Sequence, residues 1–454
     1  MSYLSAIPRL ALAALVATSA MAHVARAGTT YTACTVVPRS TDGSNPFSPY
    51  FSPYTFNGVT ALRAGHLCYG PYLQWSEQAF GKTSNVTLDR RFEMFRPGTL
   101  PLSQKLPLII FAHPNGGTER MEGKGATGNY PDLTGKVMPA ITNGFAFMSI
   151  EFRHPRGSTP YKAPAPPPPP EPGRDEYSIP NTDIATAVQW ARSRADDLGI
   201  DVDNIFLLGQ SRGSLGVLTA LMPDQIVTGT GFQDYQYFSS KPRAAFAVQA
   251  QTTYKHNQLR DLFLAPYASA SAAAAISGLS LEFPSCLSNQ TTFDYHCYFD
   301  KEDPIFHISG SALNELDNSD PPVWLRYERS PTDPMKQVIT PIGMGVGVAG
   351  GDQSKGLCYE PDAPGCFDVH HPNFGLALRL RYLQLPVTAG RSAYVFAQFA
   401  DGSNVDYASS HFYDNYQCFF IQNLTPAGKV LRQAASNTPD CALHESDVWP
   451  PPGP

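Results

Sequence analysis

A serine between two glycines is the clearest chemical signal in this chain, where residues 209–213 read Gly-Gln-Ser-Arg-Gly. An apolar run at 205–208 precedes the motif, and apolar residues at helical spacing follow it. A serine on a sharp turn from a strand into a helix exposes its hydroxyl, and flanking glycines allow neighbouring chain to approach closely. The pattern predicts that Ser211 is a nucleophile in a turn that includes Gly209, Gln210 and Gly213. An ordinary glycine-serine turn is the alternative.

A serine nucleophile needs a base to accept its proton and a carboxylate to orient that base. The apolar run at 323–327 predicts a buried strand, and turn residues follow it. Asp333 in this turn is the predicted carboxylate, because a turn beyond a strand end allows its side chain to face inward. Glu328 is the alternative acid.

Three histidines are candidates for the base. His370 and His371 are adjacent and precede a predicted helix, whereas His411 follows an apolar run at 393–399. The adjacent pair has two other interpretations, which are capping of the helix start and lining of a pocket entrance. A metal site that combines the pair with Asp368 is disfavoured, because neighbouring residues rarely direct their side chains at one ion.

A second glycine motif indicates where negative charge would be stabilised. Residues 113–117 read His-Pro-Asn-Gly-Gly and follow an apolar run at 106–112. Two glycines after a buried strand let backbone N–H groups approach a substrate closely, and such donors stabilise a tetrahedral intermediate by about 3 kcal/mol each. The alternative is a plain turn. The predicted oxyanion hole consists of the backbone N–H groups of Asn115, Gly116, Gly117 and Arg212.

Strands that alternate with helices must position these groups, which predicts an α/β fold with a mostly parallel, doubly wound sheet. Sites in such sheets form at the carboxyl ends of the strands, where all the candidate residues fall. Residues 86–95 alternate between apolar and polar side chains, which predicts an antiparallel edge strand. Asp183 and Gly199 are the predicted N-cap and C-terminal stop of a helix. The other predicted strands cover 106–112, 145–152, 205–208, 244–250, 323–327 and 393–399, and the main helices cover 184–198, 374–385 and 413–424.

The remaining segments have less regular patterns. The predicted organisation is a signal peptide at 1–27, an irregular N-terminal segment at 28–84, a catalytic domain at 85–425 with a lid-like insertion at 255–320, and a tail at 426–454. A passive surface elaboration is the alternative interpretation of the insertion. A proline tract at 163–172 is interpreted as a surface loop. The first segment has a basic start, an apolar stretch and A-x-A cleavage sequences, so we expect a secreted or periplasmic protein with no transmembrane segment.

Composition excludes several function classes. The chain has 454 residues, of which 42% are hydrophobic and 16% charged, with a net charge of -6. This composition supports a large core, and the absence of a basic run argues against nucleic acid as a partner. Eight cysteines in an exported chain favour disulfides, and no C-x-x-C sequence points to a metal. Because short loops close easily, the predicted pairs are Cys34–Cys68, Cys286–Cys297, Cys358–Cys366 and Cys418–Cys441.

Taken in chain order, the motifs at 113–117, 209–213 and 330–334, with the late His411, resemble the α/β-hydrolase fold and its esterase and lipase group. The first motif resembles the HGGG-type oxyanion loop of that group. The resemblance covers about 86–424. It implies the chain order nucleophile, acid, histidine, with the histidine after the last strand, and so favours His411 as the base.

The expected function is therefore hydrolysis of carboxylic esters through an acyl-enzyme on Ser211, with no cofactor and no metal. The substrate is expected to be a small-molecule or polymer-borne ester. The alternatives are a secreted binding protein on a catalytically degraded scaffold, and a peptidase or amidase of the same fold. Oligomeric state and the acyl and alcohol groups are left open.

Overall fold

The structure is a computed structural model, and it describes twelve parts of the chain. Contacts divide the chain into Met1–Ala33 and Cys34–Pro454, and the first unit lies, except for Ala33, outside the described residues. The predicted signal peptide is therefore not described. Among the residues that are described, no helix is long and apolar enough to cross a membrane. The described residues are 33–78, 85–114, 133–153, 178–222, 224, 234–253, 312–327, 357–358, 367–368, 373–387, 393–399 and 414–436.

A nine-stranded sheet forms the centre of the fold, with strand order β1-β2-β5-β7-β6-β8-β9-β10-β13. The six strands from β7 to β13 are mutually parallel, and β1, β2 and β5 add an antiparallel side. Two-stranded sheets pair β3 with β4 and β11 with β12. The strands are β1 (Ser52–Phe56), β2 (Val59–Cys68), β3 (Gln74–Gln78), β4 (Asn85–Asp89), β5 (Arg91–Pro97), β6 (Leu106–Ala112), β7 (Ala146–Ile150), β8 (Ile200–Gln210), β9 (Ala244–Val248), β10 (Val323–Tyr327), β11 (Leu357–Cys358), β12 (Phe367–Asp368) and β13 (Val395–Phe399).

Helices flank the sheet on both sides. The α-helices are α1 (Met138–Thr142), α2 (Ser178–Ser193), α3 (Ala195–Leu198), α4 (Arg212–Val217), α5 (Ala312–Glu315), α6 (Asn373–Gln384), α7 (Asp414–Asn423) and α8 (Pro426–Ala435). Single turns of 3-10 helix occur at Ser48–Tyr50, Leu218–Leu221 and Asp234–Tyr237, and a π-helix occurs at Leu133–Val137.

The strands are apolar on both faces because the helices cover both faces. On one face, Leu108 and Ile110 of β6 belong to the core cluster that includes α2, α4 and α6. On the other face, Phe111 belongs to the cluster that includes α1 and α7, where Phe420 stacks on Phe206 of β8 at 4.7 Å between ring centroids. The prediction of a mostly parallel α/β sheet with helices on both faces is confirmed.

The predicted edge strand at 86–95 is wrong in two respects. The segment forms two strands, β4 and β5, and β5 lies inside the large sheet because β1 and β2 lie beyond it. The polar residues of β5 are buried rather than exposed. Glu93 pairs with Arg63 at 2.7 Å, and Arg91 pairs with Asp89 at 3.1 Å. Paired charges inside a sheet therefore produced the alternation that indicated a solvent-facing edge.

The ends of the chain contain more regular structure than the sequence indicates. The N-terminal segment predicted to be irregular contains β1, β2 and β3. The segment predicted to be a tail begins with α8, whose N-cap Thr425 accepts a hydrogen bond from the N–H of Gly428 at 3.0 Å. Asn204 of β8 donates to the same hydroxyl at 2.8 Å. This long-range contact ties the start of α8 to β8 of the domain.

Two further local predictions have different outcomes. Asp183 is not an N-cap, because α2 begins at Ser178 and places Asp183 in the helix interior. Gly199 does end α3, with a left-handed φ of 60°.

The predicted Cys34–Cys68 disulfide is confirmed, with 5.1 Å between the Cα atoms. Cys418 is also disulfide-bonded, and its predicted partner at 441 lies outside the described residues.

Candidate functional site

The direction in which the chain winds reverses between β6 and β8. After β6 the chain continues to β7 on one side, whereas after β8 it continues to β9 on the other side. The loops that follow two such strands lead in opposite directions. The crevice between these loops, at the carboxyl ends of the strands, is where ligands bind in open α/β sheets. His113 and Pro114 follow β6 at this crevice, and Ser211 follows β8.

Ser211 adopts a backbone conformation that residues with a side chain rarely adopt. Its φ is +53°, and it joins β8 directly to α4. Such a left-handed residue costs about 1–2 kcal/mol, so its surroundings must hold it. The Ser211 N–H donates to the carbonyl of Val248 at 2.9 Å, and its own carbonyl accepts from both the N–H and the hydroxyl of Ser214. Hydrogen bonds on both sides therefore fix the turn.

The two glycines of the motif are required by close packing. A Cβ atom on Gly209 would lie 2.5 Å from the carbonyl oxygen of Gly213 and 2.7 Å from Val217. A Cβ atom on Gly213 would collide with the carbonyl group of Ala112 and would lie 2.7 Å from the carbonyl oxygen of His113. The serine turn thus packs directly against the end of β6, where the predicted oxyanion motif begins.

His113 and Glu151 form a buried pair at the ends of β6 and β7. The imidazole Nε2 lies 2.9 Å from the Glu151 Oε1, and both side chains are essentially inaccessible to solvent. The other ring nitrogen, Nδ1, lies 2.6 Å from the carbonyl oxygen of Pro114. Sequence reasoning placed Glu151 inside a predicted strand and did not single it out. The available signal was an acidic residue directly after an apolar run.

Polar residues also follow β9, next to the serine turn. Gln249 has a φ of +54°, its N–H donates to the carbonyl of Arg326, and its own carbonyl accepts from the Gln251 side chain at 3.0 Å. Gln251, Thr252 and Thr253 are buried. Sequence reasoning missed this segment. A run of glutamines and threonines immediately after an apolar strand was the signal that could have indicated it.

A charged cluster supports the same edge of the sheet. Asp183 of α2 accepts from Arg90 at 2.9 Å and from Arg153, two residues after Glu151, at 2.8 Å. Burial raises the pKa of the Asp183 carboxyl, but the two arginines outweigh that effect and lower its pKa overall. Burial raises the pKa of the nearby Tyr69 hydroxyl, which donates to the Glu151 carbonyl at 2.5 Å.

The predicted site residues divide into two groups. Ser211, Gly209, Gln210 and Gly213 meet at the turn after β8, and Arg212 begins α4, so its N–H belongs to the first turn of that helix, where N–H groups have no intrahelical acceptor. The other predicted residues, with the alternative acid and bases, lie outside the described residues: Asn115, Gly116, Gly117, Glu328, Asp333, His370, His371 and His411. Within the described parts of the chain, no group of three or more acidic, histidine or cysteine side chains is placed to hold a metal ion.

Comparison with known proteins finds similarity only among solved structures. No protein-family model and no curated protein matches the chain. A thermophilic esterase from Thermogutta terrifontis, bound to propionate, is 13% identical with a TM-score of 0.38, over 79% of this chain and 96% of that chain. A truncated carbohydrate esterase from gut microbiota is 14% identical with a TM-score of 0.36, over 78% and 99%.

A third similar structure is an acetyl ester-xyloside bifunctional hydrolase from Caldicellulosiruptor lactoaceticus. It is 13% identical with a TM-score of 0.39, over 78% of this chain and 97% of that chain. These structural neighbours are esterases, but likeness at this level assigns neither a family nor an activity to the chain.

Proposed function

We propose that this protein is a serine hydrolase of the α/β-hydrolase fold that cleaves carboxylic esters, with Ser211 as the nucleophile. The observation that carries the proposal is the left-handed φ of Ser211 in a hydrogen-bonded turn between β8 and α4. The turn lies where the winding of the sheet reverses, which is where ligands bind in open α/β sheets. A serine held in a strained strand-to-helix turn is the arrangement that presents a nucleophile to a substrate.

In the proposed reaction, the Ser211 hydroxyl oxygen attacks the ester carbonyl while His411 accepts the proton of that hydroxyl. Asp333 orients the imidazole and stabilises its charged form. The tetrahedral oxyanion accepts hydrogen bonds from the N–H of Arg212 and from the backbone of 115–117. His411 then gives its proton to the departing alcohol, and an acyl-enzyme remains. Water attacks the acyl-enzyme with His411 as base, and the carboxylic acid leaves as Ser211 regains its proton.

The topology supports these assignments. Strands β10 and β13 are parallel to β8 in the same sheet. Their following loops, which contain Asp333 and His411, therefore leave the sheet at the same edge as Ser211. We further propose that the part of the predicted insertion before Ala312 is a lid over this edge, since Ala312 and Leu316 belong to the main core cluster, and that the protein acts in the periplasm or outside the cell. The disulfides at Cys34–Cys68 and at Cys418 are typical of those oxidising compartments.

The test is hydrolysis of p-nitrophenyl esters of graded acyl length by the wild type and by Ser211→Ala. We expect turnover by the wild type and a loss of at least about 10⁴-fold in the variant, because removal of the nucleophile leaves only the oxyanion hole and binding. Ser193→Ala is the matched control, because its hydroxyl donates to the Trp190 carbonyl within α2 at 2.8 Å. Full activity in Ser211→Ala would refute the proposal.

A fluorophosphonate probe separates the enzyme from a binding protein with the same scaffold. Covalent labelling of the wild type, and none of Ser211→Ala, is expected. Asp333→Asn and Glu328→Gln then compare the two candidate acids, and His411→Gln tests the base. If the wild type neither labels nor hydrolyses any ester, a binding function becomes the better explanation.

A further inference from the structure

We propose that His113 and Glu151 act as a positioning pair that holds the backbone at the start of the oxyanion loop. This inference rests on the proposed function, since it concerns the same site. The pair bridges the ends of two adjacent parallel strands, β6 and β7, whose register aligns Ala112 with Ile150. The 2.9 Å contact lies between side chains with almost no solvent exposure.

Proton positions in the pair follow from its geometry. The Pro114 carbonyl is only an acceptor, so the 2.6 Å contact requires that Nδ1 of His113 carries a hydrogen. The 2.9 Å contact then holds one proton between Nε2 and the Glu151 carboxyl. Two forms of the pair have this single proton: an imidazolium beside a carboxylate, and a neutral imidazole beside a carboxylic acid. In either form, the pair is neutral overall and Nδ1 donates to Pro114.

The Glu151 backbone is anchored independently of its side chain. Its N–H donates to the carbonyl of Arg91 at 2.8 Å, and its carbonyl accepts from the Tyr69 hydroxyl at 2.5 Å. The His113 ring also packs against Phe152, with 5.3 Å between ring centroids. The carboxyl group therefore projects from a fixed strand end, and the imidazole transmits that position to the Pro114 carbonyl.

The Pro114 carbonyl shares its peptide plane with the N–H of residue 115, which is one of the proposed oxyanion donors. A trans peptide directs its C=O and N–H to opposite sides. A bond from His113 that holds the carbonyl therefore also restrains the peptide plane to which the carbonyl belongs. On its other side, the His113 carbonyl faces Gly213 of the serine turn. The His113 imidazole thus positions the start of the oxyanion loop relative to Ser211, and it does so without contacting the substrate.

The experiment compares Glu151→Gln with Glu151→Leu and His113→Phe. A glutamine amide can donate to Nε2 of a neutral imidazole, so Nδ1–H still bonds Pro114, and we expect kcat within about threefold of the wild type. Leucine no longer directs the ring tautomer, and phenylalanine removes the donor. We expect kcat to fall about 10- to 100-fold in both, with KM changed by less than threefold, because a misdirected donor weakens only transition-state binding.

Affinity for a trifluoromethyl ketone is the measurement that separates positioning from a purely structural role. This inhibitor forms a tetrahedral adduct whose oxyanion occupies the donor site. Its Ki should rise by the same factor as kcat/KM falls across the three variants. Equal losses in Glu151→Gln and Glu151→Leu, or unchanged kcat in folded His113→Phe and Glu151→Leu, would overturn the proposal.

A spectroscopic measurement covers the cases in which kinetics cannot decide. In ¹⁵N-histidine-labelled wild type, we expect one imidazole with a solvent-protected Nδ1–H, whose signal is absent in His113→Asn. An unprotonated Nδ1 at His113 would refute the pair even if the apolar variants do not fold. Should Ser211→Ala keep full activity, the proposed function fails, whereas this measurement still decides the proton position.

Discussion

Gly213→Ala perturbs the contact between the serine turn and the end of β6. The new Cβ atom would collide with the Ala112 carbonyl and lie 2.7 Å from the carbonyl oxygen of His113. Both obstacles are backbone atoms, in the last residue of β6 and in the residue after it, so neither can rotate away as a flexible side chain would. The turn must therefore move away from β6, and Ser211 must move with it.

The expected magnitude combines two opposing terms. Overpacking against a rigid neighbour typically costs up to about 3 kcal/mol. Alanine is favoured over glycine in a helix by about 1 kcal/mol, and Gly213 lies in α4. The free energy of unfolding should therefore fall by about 2 kcal/mol. Because a displacement of about 1 Å near the reacting groups can reduce the rate 100-fold, kcat should fall by about that factor.

The assay is equilibrium unfolding in urea together with p-nitrophenyl ester kinetics. Gly65→Ala is the matched control, since a Cβ atom there would meet only the end of the Glu93 side chain at 3.3 Å. It should change stability by less than about 1 kcal/mol and leave kcat unchanged. A Gly213→Ala variant with stability and kcat both equal to the wild type would show that the turn does not pack on β6 as described.

Two further predictions concern the supports of the site. Asp183→Asn removes the carboxylate that Arg90 and Arg153 share and should cost about 3–5 kcal/mol in urea unfolding at neutral pH. Because the folded pKa of Asp183 is lowered, its contribution is complete above the unfolded value of about 4 and is lost as pH falls further; the variant should lose less stability over that acid range. Replacing Cys34 and Cys68 by serine opens a link over 34 residues, which should cost about 4 kcal/mol in the same assay, and no change would contradict the chain-entropy estimate.

Local patterns in the sequence determined much of the fold. The apolar runs at β6, β8 and β10 predict buried parallel strands, because a strand covered on both faces must be apolar at consecutive positions. The glycines around Ser211 predict the tight turn because a residue without a Cβ atom is needed where the backbone passes close to other parts of the chain. The strand Leu106–Ala112 and the strand Val323–Tyr327 have the predicted bounds.

Contacts between distant residues decided the rest. The buried position of Glu93 in β5 depends on its pairing with Arg63, 30 residues earlier in the chain. The packing of α8 depends on Asn204, more than two hundred residues earlier in the chain. The pairing of His113 with Glu151 joins two strand ends that are 38 residues apart.

Sequence and tertiary structure therefore contributed different kinds of information. The sequence by itself determined the α/β class and the turn at Ser211, because backbone conformation and apolar periodicity are set by near neighbours. Only the tertiary structure decided which polar groups are buried together and where the winding of the sheet reverses. A polar side chain is stable in the interior only with its partner, and a local pattern does not contain the identity of a partner that lies far along the chain.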